Sequence, residues 1–152
     1  MTNPAQPAHL SYADLHARIE ASFVRQGMMQ HLGARLVSVA PGEVEIALPY
    51  SERVTQQQGG YHGGAMGALA DIAAGYAGLT MAAEGQEVTT VEYKINFLAA
   101  FQGGELRARG HVVRAGKRLI ITTAEVVHLD DNGGESPCAL MQQTLATVNK
   151  TY

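Results

Sequence analysis

The sequence predicts an α+β fold in which one long helix covers the concave face of an antiparallel sheet, packed on it or wrapped by it. Three observations predict it. One uninterrupted helical segment, residues 63–83, is far longer than any other. Two β-rich runs precede it and four alternating runs follow it. The turns joining those runs are short, which makes neighbouring strands antiparallel.

The elements follow in order. Residues 1–10 read as a disordered leader, ahead of a single domain over residues 11–152. Residues 12–25 place Leu15, Ile19 and Phe23 four apart, with Ser11 as N-cap and Asp14 three residues later. That is a short amphipathic helix. Residues 36–39 and 44–48 flank Ala40-Pro41-Gly42-Glu43, a hairpin or one bent strand. A polar loop, residues 51–61, leads into the long helix. Residues 88–98 then alternate. Val91, Tyr93, Ile95 and Phe97 fall on one face, and Thr90, Glu92, Lys94 and Asn96 on the other. This is the pattern of a half-buried strand. Gln102-Gly103-Gly104 reads as a turn and Ala115-Gly116-Lys117 as a tight hairpin. Residues 106–112, 119–129 and 139–148 supply the remaining strands.

Composition narrows the function classes. The chain of 152 residues carries a formal net charge of −3, which argues against a nucleic-acid binder working by general phosphate attraction. A single cysteine, Cys138, rules out an internal disulfide and points to a reducing, cytoplasmic setting. Residues 63–83 are apolar but include Asp71 and five glycines, a poor membrane span. Neither a membrane nor a nucleic acid is expected as partner.

The long helix has an unusual face. Met66, Leu69, Ile72, Tyr76 and Leu79 form an ordinary core stripe. Gly64, Gly67, Ala68, Asp71, Ala74, Gly75 and Gly78 share the other side. Each glycine costs a helix about 1 kcal/mol relative to alanine, so close approach by a backbone or ligand is the physical reason to keep them. Asp71 is the only charged residue of the segment. A lone carboxylate among small apolar residues suits a general base or nucleophile. His62-Gly63-Gly64 begins the helix, and its unpaired N–H groups suit a developing oxyanion.

Gly64 and Asp71 are seven residues apart, about 10 Å along a helix axis. A base and an oxyanion donor must both lie roughly 3 Å from the reacting atoms. One chain therefore cannot bring both to one carbonyl. Two antiparallel copies crossing near Gly67-Ala68 can, which predicts a two-fold homodimer with composite sites.

Residues 55–77, from Thr55-Gln56-Gln57-Gln58 through His62-Gly63-Gly64 to Ala70-Asp71, resemble the signature of hotdog-fold acyl-CoA thioesterases of the phenylacetate-pathway (PaaI) type. Residues 91–98 resemble the strand that follows in that family, and the likeness spans about residues 36–148. The resemblance implies a hotdog fold (a curved antiparallel sheet wrapped around one long central helix), dimers that often pair into tetramers, and hydrolysis of acyl-CoA to acid and CoA. It implies Asp71 as catalytic carboxylate, Gly64 with Gly63 as backbone donors to the thioester carbonyl, and His62 as the motif histidine. It places Gln56 where relatives often carry asparagine, and Thr89 or Thr90 where they use a serine or threonine near the nucleophilic water. No cofactor is implied, CoA being part of the substrate.

Five of the eleven Lys and Arg residues, Arg107, Arg109, Arg114, Lys117 and Arg118, fall within twelve positions. They read equally as a solvated strand face or as contacts to CoA phosphates, with Arg114, Lys117 and Arg118 the chosen candidates. A pocket for a long acyl chain would be lined by the partner copy's helix and the Met28-Met29 region. His16, His111 and His128 read as surface residues, and no His/Cys/Asp cluster has metal-ligand spacing. No Gly-x-Ser-x-Gly elbow is present, which disfavours a serine hydrolase. Two other readings stand beside the hydrolase: a non-catalytic acyl-CoA sensor, and a hotdog hydratase or dehydratase acting on acyl thioesters.

Overall fold

A computed structural model describes residues 11–151. The expected leader, residues 1–10, lies outside the described residues. The chain runs α1 (Tyr12–Phe23), α2 (Gly27–Leu32), β1 (Arg35–Ala40), β2 (Glu43–Pro49), α3 (Gly63–Thr80), β3 (Gln86–Phe97), β4 (Glu105–Ala115), β5 (Leu119–Leu129) and β6 (Glu135–Asn149). A single 3-10 turn, Glu52–Val54, lies in the loop before α3. The predicted architecture is present: all six strands form one antiparallel sheet, and α3 packs across it.

α1 forms as its spacing requires. Leu15, Ile19 and Phe23 are buried, and the Ser11 hydroxyl accepts from the Asp14 N–H. Arg18 ties this helix to the turn after α3, donating to the carbonyls of Ala82 and Gln86. α2 was not foreseen, because six residues are too few to show a period. Gly33 ends it in the left-handed region at φ 79°. α3 stops at Thr80, three residues short of the expected end. Thr80 turns its hydroxyl to the Ala77 carbonyl and also accepts from the Gly42 N–H.

The strand order is β1-β2-β4-β5-β6-β3. β3 and β4 are consecutive in sequence yet lie apart in the sheet, so Gln102-Gly103-Gly104 belongs to a crossover rather than a hairpin. β3 ends up at an edge, paired only with β6 among the described strands. The expected half-buried face of β3 is therefore largely uncovered: Val91 is 58%, Tyr93 45% and Phe97 53% exposed.

A bulge corrects the alternation expected in β3. Thr90 pairs with Leu145 and Glu92 with Thr144, leaving Val91 as an extra residue. An extra residue reverses the parity of a strand. Thr90 consequently reaches α3, and so do Tyr93 and Phe97, which lie beside Gly67 and Gly63. Glu92 takes the outer face with Thr144, whose hydroxyl donates to it at 2.6 Å.

The small residues of α3 divide into two groups. Gly67, Ala74 and Gly78 are buried, facing the chain's own sheet. Gly64, Ala68, Asp71 and Gly75 remain at least partly open, as does Ile72 of the expected core stripe. β4 approaches the same helix closely through Gly110, where an added Cβ would overlap the backbone of Ala73 and Ala74. Part of the small-residue stripe thus serves helix–sheet packing within one chain. Gly67, expected at a crossing between two copies, lies beside the Tyr93 hydroxyl of its own chain.

On the opposite side of the sheet, charges pair across strands. Arg107 bonds Glu105 and Glu45 (3.2 Å to the latter), and Arg109 bonds Glu135. Burial opposes the Glu105 charge, but hydrogen bonds from Arg107 and Arg35 outweigh it and hold this carboxyl below its ordinary range. His128 is not a surface residue: it is buried, stacked on Phe101 at 4.4 Å, with Nε2 3.0 Å from the Gly103 carbonyl. Cys138 is buried in β6, where desolvation pushes its thiol up to about 11. No helix among the described residues is long and apolar enough to cross a membrane.

Candidate active site

Asp71 lies midway along α3, on its open stripe, partly buried. Its Oδ1 accepts from the Thr90 hydroxyl at 2.8 Å and from Gln143 Nε2. Gln143, on β6, is fully buried, and its Oε1 accepts from the Thr122 hydroxyl of β5 at 3.1 Å. The carboxylate is therefore held by three elements at once: its own helix, edge strand β3 and inner strand β6.

A cavity of about 180 Å³ opens at this point. Asp71 and Thr90 line it together with Ile72, Gly75, Leu79, Val88 and Leu145. Polar groups also line it. The Tyr76 hydroxyl accepts from Gln26 at 2.9 Å and donates to Ser22 at 3.1 Å. Met28 and Met29 do not line it: Met29 is core and Met28 faces solvent.

The start of α3 is the second part of the site. His62 is the N-cap, and its Nδ1 accepts from the Gly64 N–H at 2.8 Å. The His62 carbonyl accepts from Ala65 and Met66. His62 itself is exposed, and Gly63 is partly exposed beneath Phe97. The preceding loop closes on itself. Gln56 N–H donates to the Gly60 carbonyl, Gln56 Oε1 accepts from Gln58 N–H at 2.7 Å, and Thr55 bridges to Tyr61. Tyr50 clasps this loop through the Gly59 carbonyl.

The model of the thioesterase superfamily matches residues 58–135, a segment holding the helix start, Asp71 and Thr90. The chain belongs to this superfamily. A solved thioesterase family protein from Silicibacter pomeroyi is 36% identical, with a TM-score of 0.85 over 92% of this chain and all of that one. The 1,4-dihydroxy-2-naphthoyl-CoA hydrolase of Listeria monocytogenes is 31% identical over 60% of this chain and 74% of its own length. The PaaI protein of Escherichia coli, from the phenylacetic acid degradation operon, is 22% identical. It shares the fold with a TM-score of 0.79 over 90% of this chain and 95% of its own. The expected hotdog architecture is thus established.

Within that fold, the predicted residues separate into three groups. Asp71 and Thr90 come together, while Thr89 lies on the other face of β3 beside Ala146. Gly63, Gly64, His62 and Gln56 gather at the helix start and its loop. Arg114, Lys117 and Arg118 are exposed at the β4–β5 hairpin, which Thr147 stitches to β6 through the Lys117 and Arg118 carbonyls. Arg107 and Arg109, from the same basic cluster, are taken up by ion pairs with Glu45, Glu105 and Glu135. Gln143 and Thr122 were missed. Nothing in a run such as Met141-Gln142-Gln143-Thr144 marks one glutamine as buried, since the signal is a β-register.

Proposed function

We propose that this thioesterase-superfamily chain hydrolyses acyl-CoA thioesters, with Asp71 as the catalytic carboxylate. The observation that carries the reading is the placement of Asp71: a partly open carboxylate, anchored through one oxygen, lining a cavity beside a hotdog helix. In the general-base route, Asp71 takes a proton from water as the water oxygen attacks the thioester carbon. The carbonyl oxygen becomes an oxyanion, held by backbone N–H groups at a helix start. The C–S bond then breaks, and the departing sulfur takes a proton to give free CoA. In the nucleophilic route, a carboxylate oxygen attacks first and expels the CoA thiolate, which takes a proton; water then cleaves the resulting mixed anhydride to the free acid and the regenerated carboxylate. Neither route uses a metal or other cofactor.

Gly64 N–H is held by His62 Nδ1 in the free chain. In our reading the substrate carbonyl takes that place when the imidazole turns outward. The donor comes from a second copy, because Gly64 and Asp71 of one chain are seven residues apart on one helix. The open stripe of Gly64, Ala68, Asp71 and Gly75 and the uncovered edge of β3 support a two-fold dimer with two composite sites. The exposed cations Arg114, Lys117 and Arg118 suit the CoA phosphates.

The part of the pocket that one chain supplies beside Asp71, about 180 Å³, has room for one ring or a short chain, and in our reading the second copy supplies the rest of the wall. The test is thiol release from a panel of benzoyl-, hexanoyl- and palmitoyl-CoA. Wild type is expected to favour the first two, and Asp71→Asn to lose about 100-fold or more in kcat. Binding of CoA esters without thiol release from any member would make the chain a sensor and overturn the reading.

A further inference from the structure

Gln143 occupies the middle of β6 on the helix-facing side, completely buried. A buried primary amide is costly unless its donors and acceptor find partners. The register supplies them. Thr122 lies directly across on β5, and its hydroxyl donates to Gln143 Oε1 at 3.1 Å. The acceptor-only carboxylate of Asp71 can take only the Nε2 end of the amide, and the Thr122 hydroxyl, which can donate, holds the Oε1 end. Nε2 donates to Asp71 Oδ1 and lies 3.4 Å from the Asp71 carbonyl and 3.0 Å from Thr90 Oγ1. The Thr90 hydroxyl donates to the same Oδ1. Two donors from two strands thus converge on one oxygen of one carboxylate.

We infer that Gln143, anchored by Thr122, is a positioning residue: it fixes the Asp71 side chain through Oδ1 and leaves Oδ2 as the reacting oxygen. The inference rests on the thioester hydrolysis proposed above and deepens it. An aspartate on an open helix face has several rotamers and could satisfy its oxygens with water. Donors from a rigid sheet reduce these to one, before substrate arrives, at no cost during the reaction. A leucine would fill the Gln143 site with similar volume and no polar demand. The amide is thus better explained by its effect on Asp71 than by packing.

The experiment measures kcat and KM for the best CoA ester of the panel, on the full chain. Gln143→Leu is expected to lower kcat about 10- to 100-fold with KM within about twofold of wild type, the pattern of an interaction that acts in the transition state. Thr122→Val is expected to lower kcat about tenfold, and Thr122→Ser, which restores the hydroxyl, to recover to within about threefold of wild type. Rescue by serine separates anchoring of the amide from packing, because serine lacks the methyl group that packing would need. The role is overturned if Gln143→Leu keeps kcat within about twofold of wild type, or if Thr122→Ser is as impaired as Thr122→Val. A fully active Asp71→Asn, by contrast, would remove Asp71 from the reaction, and the positioning role would fall with it. Should Gln143→Leu fail to fold, the threonine pair decides.

Discussion

Thr89 and Thr90 carry the same hydroxyl one position apart, and β3 sends them to opposite sides of the sheet. Only Thr90 meets Asp71, and the sequence alone could not choose between the two. Thr90→Val is expected to lower kcat about tenfold, because one of the two donors to Asp71 Oδ1 is lost. Thr89→Val should stay within about twofold of wild type, and steady-state thiol release checks both. Asp71 itself was legible, since one charge in a long apolar helix stands out by composition. Gln143 was not: its meaning comes from the row Thr122, Gln143, Tyr93, which three strands assemble from distant parts of the chain.

The elements show the same division. α1, α3 and the strands were readable because each carries its own period of apolar residues. The crossover from β3 to β4 was not, because a Gly-Gly turn looks alike whether its flanking strands pair or part. The glycine-rich face of α3 was visible, but its double use was not. Gly110 on β4 accounts for much of that close contact, with Ala73 and Ala74 backbone atoms where its Cβ would be. Gly110→Val is expected to destabilise the fold by about 3 kcal/mol or more, since helix backbone cannot yield as a side-chain tip can. Urea unfolding measures it. Gly75→Ala is the matched control, because nothing lies within 4 Å of a Cβ there, and it should be neutral or slightly stabilising.

At the scale of the whole molecule, the sheet has two unlike edges. β1 is six residues long, broken by a register shift, and α1 packs on it. β3 is twelve residues long, with Val91, Tyr93 and Phe97 open. In the proposed dimer the β3 edges meet, and Val91→Lys is expected to weaken association about tenfold or more by placing charge on that edge. Sedimentation measures the dissociation constant, and thiol release falling in step with dimer content would bear out composite sites. A dimer of unchanged affinity would move the contact elsewhere. The unlike edges also limit growth. A long bare strand invites further strands, and a sheet with two such margins would add copies without end. Here one margin is inviting and the other is short and kinked. In the proposed dimer, pairing of like with like consumes the inviting margin in both partners and leaves the short, kinked β1 margins outside, a poor template for a fibre.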